Sequence, residues 1–263
     1  MNDILGQPLA YGRTAEIYAW GPGQVLKLFY DWYDPESVEY EARIARAIQE
    51  NGLPVPAIGE ILRVNGRLGL VYQRVDGPSL WEEMMRRPWL VMHYARQMAA
   101  LHIRMHANPG PTGIPDQHDR LERKIMEAKG LPEMLKRKGS ATLASMPPGD
   151  RLCHGDFHPF NILMAATGEV VIDWIDATRG NPLADVARTS ILVTGAIEAG
   201  QIKGAWPRLL LQLMHSAYLD QYFQLRPGGR EEYRRWLPIV AAARVSEGIL
   251  ELEDWLIAQA AAL

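Results

Sequence analysis

Four short apolar runs, each broken by isolated polar residues and set beside turn residues, lie within the first 75 residues. AEIYAW (15–20) and QVLKLFY (24–30) flank Gly21-Pro22-Gly23, and EILRV and RLGLVYQ flank Asn65-Gly66, so each pair predicts an antiparallel hairpin. Between the hairpins the period becomes helical. Asp34 offers an N-cap, Pro35 suits the first helical position, Val38, Ala42, Ala45 and Ile48 share one face, and Gly52 is a stop, which predicts a helix over 35–51. After Gln73–Gly77 the texture changes. Ser79 and Glu82 form a capping box, and helical patterns dominate from there. Two strand-like stretches interrupt them, near 151–154 and across 161–174, the second broken by a Thr167-Gly168 turn. From Leu183 onward the pattern is helical, punctuated by Pro207, Pro227-Gly228-Gly229 and Pro238. No internal repeat or low-complexity segment is present. The pattern predicts an α+β chain with a small β-rich lobe over 1–76 and a larger, mainly helical lobe over 77–263.

Composition narrows the function classes. The chain has 263 residues, 48% hydrophobic and 22% charged, with a formal charge of −3, which excludes a collagenous, disordered or disulfide-scaffold protein. That balance, and the lack of a Lys/Arg stripe interleaved with aromatics, argues against a nucleic-acid partner. No apolar run approaches a membrane span, and MNDILGQPLAYGR lacks a leader pattern, so a soluble, cytoplasmic protein without a membrane partner is expected. The single cysteine, Cys153, leaves no intrachain disulfide or multi-cysteine metal site and reads as a small buried hydrophobe. The eight tryptophans read mostly as core or packing residues.

Charge placement adds a specific signal. Lysine occurs six times, and Lys27 alone stands inside an apolar strand pattern, on the same face as Val25 and Phe29. On the predicted helix, Glu41 lies within the apolar face whereas Glu39 points away from it. A carboxylate on a buried face requires a cationic partner, because an unpaired buried charge is costly, and Lys27 is the candidate.

The densest polar cluster is CHGDFHPFN (153–161) followed by VVIDWIDA (170–177), which together supply His154, Asp156, His158, Asn161, Asp173 and Asp176 between apolar flanks. An aspartate can accept a hydroxyl proton, and an asparagine with a second aspartate offers oxygen ligands suited to Mg2+. An alternative set, His154, Asp156, His158 and Asp173, has the alternation of a metal-dependent hydrolase, though it leaves Lys27, Glu41 and Asn161 without roles.

Asp-x-x-x-x-Asn followed by an aspartate after a hairpin resembles the kinase catalytic loop. In the form HGDFHPFN, VIDW and GNPLADVAR, together with Lys27, Glu41 and the LPVP at 53–56, the chain resembles the aminoglycoside phosphotransferase and choline kinase group of kinase-like small-molecule phosphotransferases, over about residues 10–190. The resemblance implies a bilobal protein-kinase-like fold and transfer of the γ-phosphate of ATP or GTP to a hydroxyl of a small molecule. Asp156 would be the catalytic base, and Asn161 and Asp173 would hold Mg2+. Lys27 would pair with the α- and β-phosphates, with Glu41 holding Lys27. Gln73–Val75 would meet the adenine through its backbone, and Asp185 would brace the catalytic loop. The loop YGRTAEIY (11–18) carries a single Gly12, and its backbone, including Thr14, would cradle phosphates. Trp174-Ile175 and His154-Gly155 stand where protein kinases carry other residues, which favours a small-molecule acceptor. His158, Asp176 and Trp255 read either as acceptor contacts or as loop and helix-face residues, and the acidic Glu251, Glu253 and Asp254 would suit a polycationic acceptor. A third reading is a catalytically silent nucleotide-binding module. The sequence assigns no oligomeric state and no individual acceptor.

Overall fold

In a computed structural model residues 5–50 and 52–263 are described; residues 1–4 of the N-terminal segment and Asn51 at the end of the predicted helix lie outside the described residues. Both hairpins form. Strands β1 (Ala10–Tyr11), β2 (Ala15–Trp20), β3 (Gln24–Phe29), β4 (Ile58–Val64) and β5 (Arg67–Gln73) make an antiparallel sheet in the order β1-β2-β3-β5-β4. Asn65 (φ 52°) and Gly66 (φ 86°) close the second hairpin, both in the positive-φ conformation that this two-residue turn requires. Helix α1 (Pro35–Glu50) begins where Asp34 accepts the Glu36 N–H at 3.3 Å and the Ser37 hydroxyl at 3.3 Å.

The alternation along β3 decides what α1 covers. Leu26 and Leu28 are fully buried on one face with Tyr18, Val64 and Val71. Phe29 packs on the opposite face with Ala15, Leu70 and the α1 residues Val38 and Ala42. Burying each leucine contributes about 1.5–3 kcal/mol. Register places Lys27 between Ile17 and Leu70, on the α1 side of the sheet.

Contacts divide the chain into two compact units. The first runs to Pro78 and also takes in Ile162–Ile175. That later segment contains β7 (Ile162–Ala165) and β8 (Gly168–Val171), paired antiparallel with Ile162 opposite Val171. The hairpin joins this unit through main-chain contact: the Met164 N–H donates to the Pro78 carbonyl at 2.8 Å. At Gly77 (φ 157°) a side-chain carbon would come within 2.3 Å of the Met164 carbonyl oxygen. The hairpin turn lies at Ala166-Thr167, one residue earlier than expected, with Gly168 already in β8.

The second unit, Ser79–Asn161 and Asp176–Leu263, is mainly helical. Its helices are α2 (Leu80–Arg86), α3 (Val91–His106), α4 (Gln117–Glu127), α5 (Glu133–Ala144), α6 (Pro182–Glu198), α7 (Ala205–Leu225), α8 (Arg230–Arg244) and α9 (Glu253–Ala260). The capping box opens α2, with the Glu82 N–H donating to Ser79 Oγ at 3.2 Å and the Ser79 N–H to Glu82 Oε2 at 2.7 Å. Strand β6 (Arg151–Cys153) pairs with β9 (Thr178–Gly180), which is too short to show an alternation in the sequence.

Two expectations are corrected here. Pro238 does not punctuate: it lies inside α8, where Tyr233, Trp236, Ile239 and Val240 are all buried, and that packing outweighs the backbone hydrogen bond that proline forfeits. The tryptophans divide more evenly than expected. Trp236 and Trp174 are buried, but Trp32, Trp89 and Trp206 are exposed.

Candidate active site

In the first unit the lysine on β3 meets the acid of α1. Lys27 Nζ lies 2.7 Å from Glu41 Oε1 and 3.3 Å from Asp173 Oδ1. Tyr72 on β5 donates its hydroxyl to Glu41 Oε1 at 3.0 Å. Burial alone would lower the Lys27 pKa. The Asp173 and Glu41 carboxylates overcome it and raise the value, so the ammonium is fully charged at neutral pH. Glu41 is 4% exposed, and its Oε2 is buried without a hydrogen-bond partner among the described residues. Two residues past β8, Asp173 adopts the left-handed conformation (φ 63°), uncommon for a residue with a side chain, and its carboxylate is 41% exposed.

The remaining first-unit candidates lie at the sheet margins. The Gly12 N–H is spent within its own turn, donating to the Ala15 carbonyl at 2.8 Å, and the Thr14 carbonyl accepts the Tyr30 N–H at 2.9 Å. The amides of Arg13 and Thr14 have no partner among the described residues, so these are the donors that this turn offers to an anion. At the end of β5, the Gln73 N–H is engaged by the Ala57 carbonyl at 2.7 Å, whereas the Val75 main chain has no such partner.

In the second unit the loop after β6 is held from below by α6. Asp185, fully buried, accepts the His154 N–H at 2.7 Å on Oδ2 and the Gly155 N–H at 2.8 Å on Oδ1. Gly155 has φ 78°, and a side-chain carbon there would come within 2.4 Å of the Asp176 carbonyl oxygen, so glycine is required. Thr189 Oγ donates to the Phe157 carbonyl at 2.8 Å, and Arg188 Nε to the Gly155 carbonyl at 2.9 Å. Asp156 therefore projects from a loop whose backbone is fixed at several points. Its Oδ2 accepts from Asn161 Nδ2 at 2.9 Å and stands 3.4 Å from His158 Nε2. Burial would raise the Asp156 pKa, but the His158 hydrogen bond and the positive field of His158, Arg188 and His154 bring it below the ordinary carboxylate range. Asn161 also donates Nδ2 to the Asp156 carbonyl at 3.0 Å, which leaves its amide oxygen as the atom available to a cation. Burial pushes the Cys153 thiol well up, so it supplies no thiolate.

His102 and His106 escaped the sequence reading. One helical turn apart on α3, they direct Nε2 at Asp185 Oδ2, at 3.0 and 3.1 Å, while their Nδ1 atoms meet Tyr218 and Tyr222 of α7 at 2.6 and 2.8 Å. Burial, and for His102 the neighbouring His106, lowers both pKa values, His102 to about 3, so both rings are neutral. The i, i+4 spacing in LHIRMH is visible in the sequence, but nothing there names the partner. Among the described residues, the group of His, Asp, Glu or Cys side chains drawn together at metal-ligand spacing is this trio. Its atoms are already engaged by one another, by tyrosines and by loop amides. His154, required by the hydrolase reading, instead accepts the Asp156 N–H on Nδ1 at 3.1 Å and is buried.

Comparison with known proteins decides the family. A family model described as "Phosphotransferase enzyme family" matches residues 8–245. The chain belongs to the phosphotransferase enzyme family. This phosphotransferase shares its fold with an aminoglycoside phosphotransferase solved as a ternary complex with AMP-PNP and hygromycin B, at a TM-score of 0.65 and 17% identity, covering 97% of this chain and 91% of that one. An amicoumacin kinase solved with AMP-PNP and Ca2+ superposes at a TM-score of 0.66 and 15% identity, over 98% and 86% of the two chains. The macrolide phosphotransferase MphH of Brachybacterium faecium superposes at 0.52 and 17% identity, over 96% and 91%. No curated protein sequence matches the phosphotransferase. Among its described residues, no helix is long and apolar enough to cross a membrane.

Proposed function

We propose that this phosphotransferase moves the γ-phosphate of ATP or GTP to a hydroxyl of a small molecule, in the cytoplasm, where both nucleotides are available. The observation that carries the reading is Lys27: a half-buried ammonium on a central strand, held at 2.7 Å by Glu41 and facing the exposed carboxylate of Asp173 at 3.3 Å. A charge built into an otherwise apolar surface at this cost serves an anionic ligand, and we assign to Lys27 the α- and β-phosphates, with Glu41 and Tyr72 setting its position. The Arg13 and Thr14 amides beside Gly12 are assigned to the phosphates as well, and the main chain of Gln73–Val75 to the base. Residues 1–76 would thus bind nucleotide, and 77–263 would carry the catalytic loop and the acceptor-binding helices.

Oxygen donors fit Mg2+: the Asp173 carboxylate is accessible, and because Asn161 donates its Nδ2 to Asp156, its amide oxygen would be the atom that meets a hard cation. Such a metal, held by these oxygens, would neutralise phosphate charge. Asp156, ionised across the neutral range, accepts a hydrogen bond from the acceptor hydroxyl and aligns its oxygen for in-line attack on the γ-phosphorus, taking the proton as the new O–P bond forms and the bond from phosphorus to the departing nucleoside diphosphate breaks. A carboxylate of such low basicity contributes mainly through orientation, in keeping with a loose transition state. Asp156→Asn retains the link to Asn161 but removes the proton acceptor. It should lower kcat by about a hundredfold or more while leaving ATP binding by calorimetry within about twofold of wild type. Turnover near the wild-type rate overturns the assignment.

A further inference from the structure

The peptide unit that leads into Asp156 is gripped at both ends, entirely within the second unit. Its carbonyl, that of Gly155, accepts Arg188 Nε at 2.9 Å, and its N–H, that of Asp156, donates to His154 Nδ1 at 3.1 Å. Because a peptide is planar, two such bonds fix its rotation between the flanking Cα atoms. The next carbonyl, that of Asp156, is held by Asn161 Nδ2 at 3.0 Å, so the direction in which the Asp156 side chain leaves the backbone is set. Arg188 stands three residues beyond Asp185 on α6, and the two divide Gly155 between them: Asp185 takes the N–H and Arg188 the carbonyl.

What holds Arg188 is a carboxylate 59 residues further along the chain. Arg188 Nη2 donates to Glu247 Oε1 at 2.6 Å, and Glu247 lies in the short turn Val245–Glu247 that follows α8. The same oxygen accepts Lys124 Nζ at 3.3 Å, and Oε2 stands 3.3 Å from Arg244 Nε. Burial works against the Glu247 charge, but Arg188, Lys124 and Arg244 bring its pKa down to about 2, so it is ionised throughout the neutral range. Burial also works against the charge of Arg188, and three acids oppose it by raising the pKa: Glu247 first, then Asp176 and Asp156. A cavity of about 50 Å³ is bordered by Arg188, Asp176 and Gly155, so close packing alone does not keep the guanidinium at Glu247. Once the Glu247 charge is removed, the attraction that remains is to Asp176 and to Asp156 itself.

We propose that Glu247 is a positioning residue for phosphate transfer: by holding Nη2 of Arg188 it aims Nε at the Gly155 carbonyl, which fixes the direction of the Asp156 side chain and keeps the guanidinium off the Asp156 carboxylate. This rests on the reading of Asp156 as the group that meets the acceptor hydroxyl. Arginine suits the task because Nε and Nη2 are neighbouring donors in one rigid plane, so anchoring one aims the other. A lysine at 188 would carry the charge but could not hold the carboxylate and the carbonyl in one fork.

The test is phosphate transfer from Mg-ATP by the full chain, with kanamycin, erythromycin and choline offered as acceptors and kcat counted per nucleotide site titrated by calorimetry. On an acceptor that turns over, Glu247→Gln and Arg188→Gln should each lower kcat about tenfold, with both KM values within about twofold of wild type. The double variant should be no slower than Arg188→Gln, because the two residues act in series. Lys124→Gln relieves the same Glu247 oxygen but bonds no loop atom, and its kcat should stay within about twofold of wild type. Arg188→Lys keeps the charge of the cluster, so it tests the fork even where a neutral variant fails to fold, and it should lose kcat about fivefold or more. Wild-type kcat in Glu247→Gln or Arg188→Lys, losses that multiply in the double variant, or an equal loss in Lys124→Gln overturns the proposal. If no acceptor consumes ATP, the transfer reading fails separately, and positioning is read from the loop by heteronuclear NMR. The Gly155 and Asp156 amide resonances should then shift alike in Glu247→Gln and Arg188→Lys and stay in place in Lys124→Gln; amides unmoved in the first two variants overturn it.

Discussion

Lys27 carries its charge on a strand whose neighbours, Leu26 and Leu28, are fully buried, and this contrast makes the residue legible in sequence. Glu41 is legible for the complementary reason: it interrupts the apolar face of α1, and a buried acid needs a donor. Tyr72, which donates to Glu41, is one more aromatic in a strand pattern, and nothing local marks it. Glu41→Gln tests the pair. Because the Lys27 pKa is raised above its ordinary 10.5, the stabilisation from its charge is complete below that pH and is lost only as pH rises through the folded value. A comparison at pH 7 therefore reads the whole effect. The variant should lose about 1–3 kcal/mol in urea denaturation, and its KM for ATP should rise about tenfold. An unchanged KM would count against a phosphate role for Lys27.

At the scale of elements, the proposed catalytic loop depends on α3, α6 and α7 in series. Asp185 of α6 anchors the loop amides, the two α3 histidines saturate Asp185, and the α7 tyrosines complete the histidines. The resemblance carried by NPLADVAR implies the bracing role of Asp185, but not the second layer, because Tyr218 and Tyr222 each lie 116 residues from the histidine they meet and look like ordinary core residues. Tyr218→Phe leaves His102 Nδ1 buried without a partner and should cost about 1–3 kcal/mol, read as a lower urea midpoint with unchanged slope. No loss of stability would show that this hydroxyl is dispensable. The same separation explains β9, which exists because β6 offers it an edge, and Pro238, which stays helical because α8 is packed along its length.

For the whole molecule, the buried histidines set the acid limit. Burial lowers His215 to about 4, and burial with the neighbouring His106 lowers His102 to about 3, against an ordinary 6.5. The unfolded chain therefore takes up protons below pH 6.5 that the folded chain refuses, and stability declines as pH falls from there toward 4. Asp185, held well below its ordinary value against the cost of burial by donors from His102 and His106, acts in the same direction, its contribution being lost as pH falls through the folded pKa. The urea midpoint should thus decrease steadily between pH 6.5 and pH 4, and an increase over that range would contradict the neutral-histidine arrangement. What the sequence determined by itself is local: hairpins from the turn residues Gly21-Pro22-Gly23 and Asn65-Gly66 between strand-like runs, α1 from its cap and apolar stripe, the Asp156–Asn161 spacing, and the need of Glu41 for a cation. Tertiary structure alone decided how the proposed catalytic loop is buttressed and which charged side chains meet behind it. Those facts depend on residues as distant as Lys124, Arg188 and Arg244 converging on Glu247, and an electrostatic field is a sum over neighbours in space that no window along the chain contains.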